Sequence, residues 1–372
     1  MLRYAGLGLA GALALALVWV IWPARIDPEY WDEPEPPAMA GPLAANDRLS
    51  RAEVFAGAAH VEGLLPDQAG GAYVNGEDGE LWHFSPDGSR RRIATLPANR
   101  LISLDFMRDG RIVAAGGDGL YAIDPQTGAH ELLSQGAPAR PFGFVNDVAV
   151  GPDGLIYFTD STIRWARPGN TPAYLNDMLE NRPHGLVLCY DPATRRTRVI
   201  AEQLYYPNGV TISPEGDHLL VAETYRYQLR RIWLSGPRVG GVETFAANLP
   251  GMPDGVAYAP DGRILLGMSA PRLPSMRWMH RNPWLLSMLT KLPEPLWRNQ
   301  DHPRHRGYIA VLNGDGAVID SLQTQENRFG IVSNVAPGPD GGIWFGSLTH
   351  PLYGRLPAQD AAPDSQAIAE TR

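Results

Sequence analysis

The sequence predicts an all-β chain, a six-bladed β-propeller preceded by an N-terminal transmembrane helix, and three observations carry that expectation. The 40 Gly and 34 Pro among 372 residues place one residue in five in chain-breaking types, against about 12% in average usage, which argues for many short turns. One phrase, a short apolar run, a tight turn carrying Asp-Gly or Glu-Gly, and a second apolar run, is restated along the chain. Finally, RAEVFAG at 51–57 precedes the first inner strand without a blade of its own, while the last unit holds only three candidate strands. The N-terminal strand is therefore expected to complete the sixth blade and remove the exposed edges.

The clear copies of the phrase are NDVAVGPDGLIYFTD (146–160), NGVTISPEGDHLLVAET (208–224), DGVAYAPDGRILLGM (254–268) and SNVAPGPDGGIWFGS (333–347), with weaker copies at 102–116 and 62–74. Each reads as two antiparallel strands joined by a hairpin, because the turn glycine supplies the positive φ such turns need. Third and fourth strands follow, as in GLVLCYDPATRR and TRVIAE. The turn glycines Gly70, Gly110, Gly154, Gly216, Gly262 and Gly341 are spaced 40, 44, 62, 46 and 79 residues apart. That is one blade per interval, with insertions at 163–183 and 271–306 after second strands.

From Tyr4 to Trp22 the chain carries no charge. A helix of that length covers roughly the ~30 Å hydrocarbon thickness, and Tyr4, Trp19 and Trp22 stand where interfacial aromatics belong. Residues 1–25 thus read as an uncleaved anchor, with a cleaved signal segment as the alternative. Everything beyond would lie on the periplasmic, extracytoplasmic or lumenal side. Residues 26–50 are acidic and Pro-rich and read as a spacer, 51–358 as the propeller, and 359–372 as a disordered tail. The net charge of −8 and the absence of a basic stripe argue against nucleic-acid binding. The single cysteine, Cys189, excludes an intrachain disulfide and a cysteine-ligated zinc cluster.

One repeat position should converge on the channel. Counting seven residues back from the turn acid, or from its counterpart, gives Glu62, Ile102, Asn146, Asn208, Asp254 and Ser333. Five of these six bear oxygen, while the following strand positions are mostly apolar. Carboxylates and amide oxygens meeting at one axial point need a cation between them, and an all-oxygen donor set selects calcium. Glu62, Asn146, Asn208 and Asp254 are the expected ligands. Alternatively, Asn208-Gly209 and Asp254-Gly255 are plain turn dipeptides.

The stretches VNDVAVGPDGLIYFTDS, YYPNGVTISPEGDHLLVAETYRYQLRRIWL and LPGMPDGVAYAPDGRILLGM resemble the strictosidine synthase-like and adipocyte plasma membrane-associated protein family. More distantly they are similar to the senescence-marker/gluconolactonase group and the paraoxonases. That resemblance, over about residues 51–358, implies a six-bladed propeller. It also implies, as in the hydrolytic members, a channel calcium held by Glu62, Asn146, Asn208 and Asp254. True strictosidine synthases rely on a glutamate at the start of the last inner strand, and here there is no Glu between Arg328 and Gly341.

The expected function is a calcium-dependent hydrolase, lactonase- or arylesterase-like, acting on lactones or aryl and alkyl esters. Calcium acidifies water less than zinc does, so a general base is required. Asp254 is one candidate, as the related hydrolases suggest, and His184 at the channel mouth another; the plain reading of His184 is a strand-end residue. The 271–306 insertion, rich in Trp, Met, Leu and Arg, reads as a channel cap lining an apolar pocket, an interfacial helix touching the same bilayer as the anchor, or a helix merely packed on the propeller. The first two imply a hydrophobic substrate. A condensation enzyme of the synthase kind, or a non-catalytic anchored binding propeller, are the alternatives.

Overall fold

A computed structural model describes residues 18–58, 60–98, 100–137, 140–165, 173–293, 296 and 306–362. These form two compact units. The larger comprises Pro34–Asp177, Pro183–Arg272 and Pro303–Arg372, and its described residues hold six four-stranded antiparallel sheets and one two-stranded hairpin. Five sheets run through four consecutive strands each, from inner to outer edge. Their inner strands are Leu64–Pro66, Ser103–Phe106, Val145–Val150, Pro207–Ile212 and Gly251–Tyr258. The sixth starts at Val332–Pro337, and its outermost strand is the N-terminal Glu53–Ala56. Neighbouring inner strands touch in order, and the sixth touches the first. This is the six-bladed propeller expected from the repeats, closed by pairing Glu53 with Arg355 and Phe55 with Tyr353.

All six turn glycines have positive φ, from 72° at Gly216 to 85° at Gly110 and Gly154, the backbone state that keeps each inner hairpin tight. Apolar side chains alternate into the spaces between blades. Between the first two blades, for example, Leu81, Leu101, Ile112, Tyr121 and Ile123 form one buried cluster.

Four inner strands break register at Val145/Val148, Pro207/Val210, Pro253/Val256 and Val332/Asn334, the strand of the fifth blade also at Met252/Pro253. A β-bulge bends its strand and re-aims a side chain. Here one break in each strand falls on the repeat position singled out by counting, at Asn146, Asn208, Asp254 and Ser333.

The stretch 40–51 lies along the outermost strand of the fifth blade, Val318–Gln323. Arg48 makes a buried ion pair with Asp320 at 2.7 Å, and the Asn46 amide donates to the Ser321 carbonyl at 3.0 Å.

The smaller unit comprises Met1–Glu33, Met178–Arg182 and Leu273–His302. It contains two short helices of the second insertion, α1 (Pro274–His280) and α2 (Pro283–Leu289). The Glu180 carboxylate accepts the Asp27 amide at 2.8 Å, and the Arg277 guanidinium donates to the Glu33 carbonyl at 3.0 Å. Among the described residues no helix is long and apolar enough to cross a membrane. The helical turn at 18–21 is the described end of the apolar segment. The expected transmembrane helix has no counterpart there, and its residues 1–17 lie outside the described residues. So do residues 363–372 of the expected tail.

Candidate functional site in the propeller channel

Glu62, Ile102, Asn146, Asn208 and Ser333, drawn from five blades, line one small cavity together with Ser103, Asp147, Gly255 and Asn334. Its volume of about 10 Å³ is the room of roughly one water molecule or ion. Asp254, the remaining counted position, is not among the lining residues, but its neighbour Gly255 is. Asp254 is 4% exposed, and its carboxylate feels the charges of Glu62 and Asp147. The register thus brings all six positions to one place.

The turn reading of Asn208-Gly209 and Asp254-Gly255 is excluded, because both pairs lie inside inner strands. These glycines serve close approach instead. A Cβ on Gly209 would sit 2.2 Å from the Asp254 carbonyl oxygen, and one on Gly255 2.7 Å from that of Ser333. Without them adjacent inner strands could not converge on the axis.

The two asparagines are fixed from behind. The Asn146 amide nitrogen donates to the Ser161 hydroxyl at 2.9 Å, which donates to the Pro207 carbonyl of the next blade at 2.7 Å. The Asn208 amide nitrogen likewise reaches the Thr224 hydroxyl at 3.3 Å, which donates to the Pro253 carbonyl at 2.8 Å. The corresponding Ser269 lies beside Asp254, and its hydroxyl donates to the Met252 carbonyl at 3.3 Å. Ser161, Thr224 and Ser269 occupy one position at the ends of the second strands. With each amide nitrogen committed, the Asn146 and Asn208 Oδ1 atoms accept no hydrogen bond from the described residues. Ser333, 2% exposed, has a buried hydroxyl without a partner.

Electrostatically the cavity is short of positive charge. Burial pushes the Asp254 carboxyl well above the ordinary carboxylate range, and Glu62 and Asp147 push it further. Burial raises Asp147 to about 6, against the pull of hydrogen bonds from Ser103 and from the Val210 and Val148 amides. The described counter-charge is Arg100, whose Nη2 lies 2.7 Å from Glu62 Oε2. Counting the repeat missed Arg100 because it precedes the counted position Ile102 by two residues. It missed the hydroxyls because they lie on the neighbouring strand. Their common offset, 15 or 16 residues beyond Asn146, Asn208 and Asp254, is the signal that finds them.

His184 is not brought to this place. It precedes the third strand of the third blade, its carbonyl accepts the Ile163 amide at 3.0 Å, and it does not line the cavity. Among the described residues no group of three or more His, Cys, Asp and Glu is placed to hold a metal. The counted repeat positions contribute instead two carboxylates, two amides and a hydroxyl.

The human adipocyte plasma membrane-associated protein is 31% identical to the chain over 355 residues, covering 90% of this chain and 84% of that protein. The chain belongs to its family, the strictosidine synthase-like propellers. The strictosidine synthase family profile itself matches residues 146–237, from the third inner strand into the fourth blade. Among solved structures, a gluconolactonase from Xanthomonas campestris superposes with a TM-score of 0.59 at 18% identity, covering 90% of this chain and 96% of that one. A calcium-binding protein, regucalcin, from Agrobacterium tumefaciens superposes with a TM-score of 0.56 at 16% identity, covering 81% and 90%. At such identities the structural likeness bears on the fold, and the fold agrees.

Proposed function

We propose that this strictosidine synthase-like propeller is a calcium-dependent hydrolase of lactones or of aryl and alkyl esters, with Glu62, Asn146, Asn208 and Asp254 as the calcium ligands. The observation that carries the reading is the clamping of two asparagines from different blades through their amide nitrogens. Both carbonyl oxygens are thereby left without donors at one ion-sized cavity, beside Glu62 and the orphan Ser333 hydroxyl. Hard neutral and anionic oxygens with no competing nitrogen or sulfur suit calcium. The gluconolactonase and regucalcin neighbours support the reading through their shared fold.

Bound calcium supplies a Lewis acid that polarises a substrate carbonyl and stabilises the oxyanion developing there. The chain's own groups divide the remaining work. Asp254, whose carboxyl is driven toward proton binding by burial and by its acidic neighbours, is the group to take the proton from the attacking water. Arg100 holds Glu62 in place and balances its charge. Ser161 and Thr224 keep the amide oxygens aimed. A synthase-type condensation would need an acid on the sixth inner strand, where Val332–Pro337 offers Ser333 and Asn334 instead.

The apolar segment Tyr4–Trp22 is proposed to associate the protein with a membrane, with the propeller on the periplasmic or lumenal side and a hydrophobic ester or lactone as substrate. The membrane association named for the human relative supports the first of these points. The test is an ester and lactone panel run with and without chelator, beside Asn208→Ala and Asp254→Ala, with folding followed by circular dichroism. Hydrolysis that chelator and both substitutions abolish in folded protein supports the reading. Calcium binding without hydrolysis would make this a binding propeller, and condensation of an amine with an aldehyde that persists in chelator would make it a synthase.

A further inference from the structure

The helices of the second insertion are amphipathic in an unusual sense, because each places tryptophan at the pole opposite its buried residues. In α1, Met276 and His280 are buried while Trp278 is 59% exposed. In α2, Leu286 and the following Thr290 are buried while Trp284 is 63% exposed. Large exposed aromatics of this kind have no packing role within the unit. They match the side chains that settle at the boundary between headgroups and acyl chains.

A third observation ties these helices to the apolar segment. Lys291 lies two residues beyond the end of α2. Its ammonium donates to the carbonyls of Trp19 and Val20 at 3.0 and 2.8 Å and lies 5.6 Å from the Trp19 ring. The end of the uncharged segment is thereby held beside the C-terminal end of α2. Beside it Ile21 and Trp22 are two-thirds exposed, and Leu296 is exposed as well. Wherever the apolar segment enters a bilayer, the C-terminal end of α2 is drawn to that surface.

We infer that the outward faces of α1 and α2, with Trp278 and Trp284 as anchors, form a lipid-docking platform that lies in the headgroup region of the bilayer entered by Tyr4–Trp22. The inference rests on the proposed membrane association and deepens it. The chain has a second, interfacial contact with phospholipid, and Lys291 both joins the two contacts and faces the lipid phosphates.

The test uses full-length protein in phosphatidylcholine/phosphatidylglycerol vesicles. A polarity-sensitive probe is placed at Trp278→Cys, Trp284→Cys or, as a control on the propeller, the exposed Val239→Cys, each in a Cys189→Ser background. The expected result is emission at 278 and 284 roughly halved by a headgroup-level nitroxide lipid, with the probe at 239 unaffected. Hydrogen exchange of unlabelled wild-type protein supplies a second readout. Amides of 274–290 should gain protection on adding vesicles. Protein that floats with the vesicles but shows neither change overturns the platform and leaves the anchor standing. Protein that does not float overturns both. Probes shielded without nitroxide quenching, in a protein that sediments as a dimer, would assign the face to a second copy and overturn the platform.

Discussion

Replacing Ser161 with alanine removes one fully buried hydroxyl that holds two groups at once. The Asn146 amide loses its acceptor at 2.9 Å and the Pro207 carbonyl loses its donor at 2.7 Å. Leaving a buried carbonyl unsatisfied costs about 1–3 kcal/mol, so the melting temperature should drop by several degrees, and a native ensemble should remain. The larger informative effect is on calcium. With its nitrogen free, the Asn146 side chain can rotate its Oδ1 off the axis, and loss of such an outer hydrogen-bond partner typically weakens metal binding about 10–100-fold. That corresponds to roughly 1.4–2.8 kcal/mol. Calorimetric titration of chelator-stripped protein with calcium, alongside thermal melts, separates the two effects. If Ser161→Ala melts early yet binds calcium as tightly as wild type, the hydroxyl only ties blades together and the argument that it aims Asn146 is wrong.

Asp254→Asn removes a buried charge that faces Glu62 and Asp147. Calcium-free protein should therefore melt higher than wild type while calcium binding and hydrolysis are lost; a lower apo melting temperature would contradict the electrostatic reading. Arg100→Ala removes the cation that already pairs with Glu62. Because Arg100 is partly solvated, calcium affinity should rise only a few-fold, on the order of 1 kcal/mol or less, as read by the same titration. Burial lifts Asp105 from 3.8 to about 6. The native state thus binds a proton that the unfolded chain releases, so this contribution is full below about pH 4 and is lost as pH rises through about 6. Denaturant unfolding from pH 4 to 8 should show that decline, to which the raised Asp147 and Asp254 also contribute, and Asp105→Asn should make it shallower by on the order of 3 kcal/mol at most.

The channel position was legible in the sequence because a propeller repeats its inner strand in phase. A count back from the turn acid of each repeat, or its counterpart, was enough to bring Glu62, Asn146, Asn208, Asp254 and Ser333 to one place. The same phase told apart the closing strand at 53–56, which had no blade of its own. What the count could not show was anything set by a neighbouring strand. Ser161 and Thr224 matter through the residue beside them across the sheet. Arg100 reaches Glu62 from the loop between two blades, where no repeat fixes the phase. The Pro-rich stretch after residue 33 reads as a spacer because its composition is that of a linker. Its seat on the fifth blade depends on distant pairings, among them Arg48 with Asp320 and Asn46 with Ser321.

Because the outermost strand of the last blade is Glu53–Ala56 and its partner is Leu352–Leu356, synthesis has both halves of that sheet only after residue 352 is made. A nascent chain halted anywhere before residue 352 carries an unmatched strand at its start and an open ring. Any truncation that trims the C-terminal 20 or so residues, as estimated from the length of a strand and its flanks, takes the latch as well as the tail. Expression tags are accordingly safer beyond residue 362 than in place of the residues before it.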